Sequence, residues 1–186
     1  MNLYKAFEAF PEETNLIGQI LASYTSLEVD LMNCVKSVQD DLDTVLKVIY
    51  RPRGETKRIE IADAMGYQKY LGLNLGKEFK ESVSAAKYCV RIRNQYAHCI
   101  WWDDNSGNLA FANLEELAKL DDLITDLRGM SVKHVTAEIL MEQLNYFEYV
   151  SDLLVWVLNE GLKNQGRQYF PIAHKPNAVN QPALFI

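Results

Sequence analysis

GKEFKESVSAAKYCVRIRNQYAHCIWW, residues Gly76 to Trp102, carries a long helical periodicity and ends in the most unusual group of side chains in the chain. Phe79, Val83, Ala86, Val90 and Ala97 recur at spacings of three, four or seven, so they share one face of an α-helix. The turn-forming run Asp103-Asp104-Asn105-Ser106-Gly107-Asn108 predicts that this helix ends near Trp102. Arg93 falls inside the apolar stripe, with Cys89, Val90, Tyr96 and Ala97 as its neighbours three and four residues away. A guanidinium cannot be deprotonated and is costly to bury alone, so Arg93 must meet a carboxylate or open into a cleft.

Outward from this helix the pattern stays helical. Pro11, Glu12 and Glu13 suit a first turn, and Ile17, Leu21, Tyr24, Leu31 and Val35 continue it to about Val38. Leu42, Val45, Leu46 and Ile49 mark a second helix that Arg51-Pro52 must stop. Ile59, Ala62 and Met65 predict a third, ending near Gly66, and Gly72 and Gly76 bracket the connection to the fourth. Asn113 with Glu116 reads as a capping box, and Leu117, Leu120, Ile124 and Leu127 extend that helical pattern towards a Gly129 cap. The 109–112 segment reads as a strand that pairs with 132–135. Thr136 is the expected N-cap of a last long helix with Leu140, Leu144, Phe147, Val150, Leu154 and Val157 on its stripe. From Gln168 the chain holds Pro171, Pro176 and Pro182, so 168–186 is expected as an extended surface tail. The fold class is all-α: one domain, an antiparallel bundle of four to five main helices, with a small two-stranded insertion after the fourth helix.

The composition fits that class. The chain has 186 residues, 48% apolar and 24% charged, enough to core one domain. Its net charge of −6 argues against bulk electrostatic binding of nucleic acid and leaves only a local basic cleft for such a role. Three scattered cysteines, Cys34, Cys89 and Cys99, make no disulfide framework and suit a reducing compartment. The start lacks a signal-like apolar run and no stretch reaches transmembrane length, so the expectation is a cytoplasmic chain with no membrane partner. No glycine-rich phosphate loop, nucleophile elbow or metal-ligand knuckle stands out, and no metal or cofactor is expected.

The candidate chemistry lies at the end of the fourth helix. On a helical wheel with about 100° per residue, His98 sits about 140° round from Arg93. Asn94 lies between them and Trp101 falls in the same sector. A guanidinium can grip a phosphate with two hydrogen bonds, an imidazole can move a proton near neutral pH, and an amide can orient either. Arginine, four residues, then histidine resembles the motif of HEPN domains, here Arg93-Asn94-Gln95-Tyr96-Ala97-His98, with the polar Asn94 directly after the arginine as in many members.

That resemblance implies a homodimer whose two motifs face one cleft. It implies metal-independent RNA cleavage in a toxin, defence or stress setting, with the RNA's own 2′-hydroxyl as nucleophile. Arg93, Asn94 and His98 would then be catalytic, with Trp101 and Tyr96 contacting the substrate. Family toxins that answer to a nucleotidyltransferase antitoxin carry a tyrosine two residues after the histidine; Ile100 stands there in this chain.

Plainer readings stand beside this one. Glu28, among Tyr24, Leu31 and Met32, is a candidate partner for Arg93 in a structural ion pair. His98 at a helix end is favoured by the dipole alone. Trp101 and Trp102 read more readily as packing than as base stacking. Arg51, Arg53, Lys57 and Arg58 read as a solvated basic face. On these readings the chain is a non-catalytic helical dimer that binds a protein partner or a nucleotide.

Overall fold

The computed structural model describes residues 3–185 apart from 122, 127–131 and 173; the expected Leu127 and Gly129 helix end lies outside those residues. Among the described residues there are seven helices and three strands, with 66% of the chain helical. The helices are α1 (Leu3–Ala9), α2 (Pro11–Gln39), α3 (Leu42–Tyr50), α4 (Glu55–Gly72), α5 (Gly76–Ala97), α6 (Leu114–Leu117) and α7 (Ala137–Asn164). The strands are β1 (Cys99–Asp103), β2 (Leu109–Asn113) and β3 (Lys133–Val135). The chain divides into two compact units. Unit 1 comprises Met1–Ala22, Arg91–Asn145 and Pro182–Ile186, and unit 2 comprises Ser23–Val90 and Tyr146–Gln181.

Helices α2 to α4 form as their caps and breakers dictate. α2 begins on Pro11 and stops at Gln39, where Asp40 takes a left-handed φ of 60°. The Asp41 side chain accepts from the Thr44 amide and starts α3, which ends at Tyr50 ahead of Pro52. α4 does not stop at Gly66 as the sequence suggests but continues to Gly72. Gly66 is a contact point and not a breaker: a methyl group there would lie 2.6 Å from Cζ of Phe79. The Phe79 ring stacks on Tyr70, centroids 4.5 Å apart. The Tyr70 hydroxyl donates to the Cys34 carbonyl at 3.0 Å, and Gly161 of α7 faces the same ring. Unit 2 is thus closed around a tyrosine and a phenylalanine that sit against two glycines.

Glu28 belongs to this unit. Its carboxylate accepts from Arg58 at 3.1 and 3.3 Å and from the Tyr24 hydroxyl at 3.1 Å. Arg58 also lies over the Tyr50 ring at 5.3 Å, so it is a packed residue and not part of a solvated basic face. The Glu28 side chain is 10% exposed. Arg58→Met is expected to cost roughly 3 kcal/mol, because it strands a nearly buried carboxylate. Urea denaturation checks this; a loss within experimental error of zero would mean that the pair contributes nothing.

Unit 1 is built on the antiparallel sheet, in the order β1-β2-β3. β2 pairs with β3, Leu109 opposite Val135 and Phe111 opposite Lys133, as the pattern of 109–112 and 132–135 leads one to expect. β1 is the departure. The motif helix ends at Ala97, five residues before Trp102, and Cys99–Asp103 is a strand. Ile100, Trp101 and Trp102 suit a pleated surface better than a helix, and the turn at 103–108 brings β2 alongside. In that turn the Asn105 and Ser106 amides donate to Asp103 and Asp104, while Asn105 and Gly107 take φ of 64° and 86°.

The two tryptophans then point to opposite faces. Trp102 and Ile100 lie opposite Ala110 and Ala112, large against small, over Leu117. Trp101 stacks on Phe111, 5.1 Å between centroids, with Phe7 of α1 and Tyr96 beside it. All five residues of β2 are buried.

α6 is a single turn, and the helical spacing of Leu120 and Ile124 is not used by a helix. The Ile139 amide donates to Thr136 Oγ1 at the start of α7. The tail has neither helix nor strand among its described residues, but it is not wholly on the surface, since Pro182 is buried.

Candidate functional site

The end of α5 is held by a side chain from β2. Asn113 Nδ2 donates to the carbonyls of Asn94 (2.8 Å) and Gln95 (3.2 Å). These are orphan acceptors of the last helical turn. Its Oδ1 accepts from the amides of Glu115 (2.9 Å) and Glu116 (3.2 Å), the orphan donors at the start of α6. One buried amide therefore finishes one helix and begins another. The Leu114 amide donates to the His98 carbonyl at 3.0 Å, fixing the residue between α5 and β1. Asn113→Leu is expected to destabilise the protein by about 3 kcal/mol, because it leaves buried carbonyls and amides unsatisfied. Asn113→Asp keeps the α6 cap and loses only the donors, so its denaturation midpoint should fall between those of the two proteins.

Arg93 and Asn94 lie in the last turn of α5, both half-buried, and the Arg93 guanidinium donates to Asn94 Oδ1 at 3.0 Å. His98 is outside the helix, so its position is not the one a helical wheel assigns. Its side chain is 54% exposed, with Nε2 3.5 Å from a carboxylate oxygen of Glu115. Glu115 is the residue that sequence reading missed. It becomes a neighbour of His98 only through the β1–β2 hairpin.

The aromatic residues expected to touch substrate are in the core. Tyr96 is 2% exposed and donates to Gln143 Oε1 at 2.7 Å; Trp101 is 6% exposed. Neither presents a ring face for a base to stack on, because the helix end at Ala97 turns Trp101 into the sheet.

Cys34 and Cys89 are buried, and burial raises both thiols, that of Cys34 to about 12. Burial also pushes Cys99 up to about 12, and its Sγ donates to the Gln95 carbonyl at 2.6 Å. None of the three is poised as a thiolate nucleophile. Among the described residues no group of three or more histidine, cysteine, aspartate or glutamate side chains is placed to hold a metal ion. No described helix is long and apolar enough to cross a membrane.

At the far end of the hairpin, Asp104 accepts from Ser106 and lies 2.8 Å from His134 Nε2, contacts that hold its carboxyl at about 2. A depressed folded-state value contributes stability that is complete above the ordinary carboxylate value near 4 and lost as pH falls through about 2. Asp104→Asn should flatten that part of a stability–pH profile; an unchanged slope would show that the contact contributes nothing.

No protein-family model, no curated protein and no solved structure matches this chain.

Proposed function

We propose that this protein is a HEPN-like, metal-independent endoribonuclease working as a homodimer, with Arg93 and His98 as its catalytic residues and Asn94 orienting Arg93. The observation that carries the reading is a partition within the motif. Ile92, Gln95, Tyr96, Trp101 and Trp102 are buried, whereas Arg93 and Asn94 remain half-exposed and His98 is exposed. That leaves the guanidinium, the amide and the imidazole open to a ligand while their neighbours in sequence are packed.

The chemistry follows from these groups. The His98 imidazole takes the proton of a ribose 2′-hydroxyl as O2′ bonds to the adjacent phosphorus and the bond from phosphorus to O5′ breaks. The leaving O5′ takes a proton from water, the imidazolium returns its own proton to the hydroxide so formed, and a 2′,3′-cyclic phosphate remains. Arg93 grips the non-bridging oxygens as negative charge builds on them, and Asn94 Oδ1 holds the guanidinium plane. Glu115, with a carboxylate oxygen 3.5 Å from Nε2, steadies the imidazole. A chain of net charge −6 needs a local site of this kind, because its overall field does not attract RNA. The test is incubation with mixed-sequence single-stranded RNA in EDTA. Cyclic-phosphate products support the reading, and intact RNA at high enzyme concentration overturns it.

A further inference from the structure

In unit 1 the segment Pro182–Phe185 is gripped by side chains from three elements. Gln143 of α7 donates through Nε2 to the Ala183 carbonyl at 2.9 Å. Gln95 of α5 accepts from the Phe185 amide through Oε1, and Lys133 of β3 donates to the Phe185 carbonyl. The Phe185 ring stands edge-on to Phe111, 5.6 Å between centroids. These three hydrogen bonds read main chain, and the Phe185 ring reads sequence.

The grip is built from residues that are expensive to bury. Gln143 is 0% exposed and Gln95 is 5% exposed. Gln143 serves the Tyr96 hydroxyl with its oxygen and the tail with its nitrogen. Gln95 gives its oxygen to the tail, while its buried Nε2 has no hydrogen-bond partner among the described residues. Lys133 divides its ammonium between Phe185 and Glu116. Two buried amides and a lysine converging on one extended tripeptide make a peptide site, with the chain's own tail as its ligand.

We propose that this is an exchangeable docking site for an extended segment with an aromatic anchor, and that its occupant in trans is the same segment of a second copy of this chain. Recognition through main chain gives an identical segment from another copy identical groups to offer. The stretch from Arg167 to Gln181 has neither helix nor strand among its described residues, and fully extended it spans about 50 Å. That reach allows the 182–185 segment to be exchanged between copies. The inference goes beyond RNA cleavage and does not depend on it.

Two full-length chains test it. Phe185→Ala keeps the site and loses the anchor, whereas Lys133→Met keeps the anchor and weakens the site. The Phe185→Ala chain is labelled with nitrogen-15 and its Gln95 side-chain amide signals are followed by NMR. Adding unlabelled Lys133→Met chain should return those signals towards their position in the unsubstituted protein. A chain carrying both substitutions should leave them where they are.

No recovery at equimolar, near-millimolar chains overturns the proposal. So does recovery with the blocked hexapeptide of residues 180–185 but not with the full chain, since the site would then take peptides without taking a second copy. Amide exchange of the unsubstituted protein covers the case in which Phe185→Ala does not fold. The Phe185 amide should exchange at least 100-fold faster than the slowest amides of α7. Equal protection would mean that the segment is released only by global unfolding, and would also overturn the proposal.

Discussion

His98→Ala is expected to reduce RNA cleavage by a factor of about 10² to 10⁴, the usual contribution of a positioned general acid or base. The substitution should leave the fold intact. The imidazole is 54% exposed, and Glu115 beside it is itself 61% exposed. A solvated pair of this kind contributes under about 1 kcal/mol. Activity and stability should therefore separate, with cleavage lost and the urea midpoint held. Full cleavage by His98→Ala would remove the histidine from the reaction and end the nuclease reading as stated. Loss of cleavage together with a large fall in stability would assign His98 a structural role instead.

Phe79→Ala should be the most damaging single truncation in unit 2. The ring is 0% exposed, and its neighbours can do little to fill the space it leaves. Gly66 has no side chain to move, and Tyr70 is fixed by its hydrogen bond to the Cys34 carbonyl. Aromatic-to-alanine losses run at about 3–5 kcal/mol and grow with the cavity that remains, so this one is expected at the upper end. The same geometry gives Gly66→Ala opposite signs in two backgrounds. Gly66→Ala alone should destabilise, since its methyl would sit 2.6 Å from Phe79 Cζ. In the Phe79→Ala background the same methyl fills part of the void and should recover stability. Strict additivity of the two denaturation midpoints would refute this account of the contact.

The parts of the fold that were legible in the sequence rest on local chemistry. Pro11 and the two glutamates start α2, Pro52 limits α3, Asn113 caps α6 and Thr136 begins α7, and each signal lies within a turn of the element it governs. What was not legible depends on distant residues. Ala97 reads like any other helical residue until β2 offers Ile100 and Trp102 a pleated partner. Gly66 resembles a breaker until Phe79 comes to lie against it.

The candidate site follows the same division. Arg93, Asn94 and His98 were visible as a motif. Glu115 beside His98, and the burial of Tyr96 and Trp101, were not, because both follow from where the helix ends. Glu28 was recognisable as an acid on an apolar face, yet Arg58, thirty residues further along, bonds its carboxylate.

The double cap by Asn113 also constrains the order in which the protein assembles. The final carbonyls of α5 draw their donors from a residue nineteen positions further along the chain, after a strand and a turn. Until the hairpin closes, that last turn lacks the Asn113 donors and frays, and the segment bearing Arg93 and Asn94 frays with it. α6, a single turn, cannot persist before the same event. The candidate site is therefore a late and cooperative product of folding. A nascent chain carrying the whole arginine–histidine motif but not yet Asn113 would lack both caps, so the surroundings of Arg93 and His98 are complete only once the hairpin has been made.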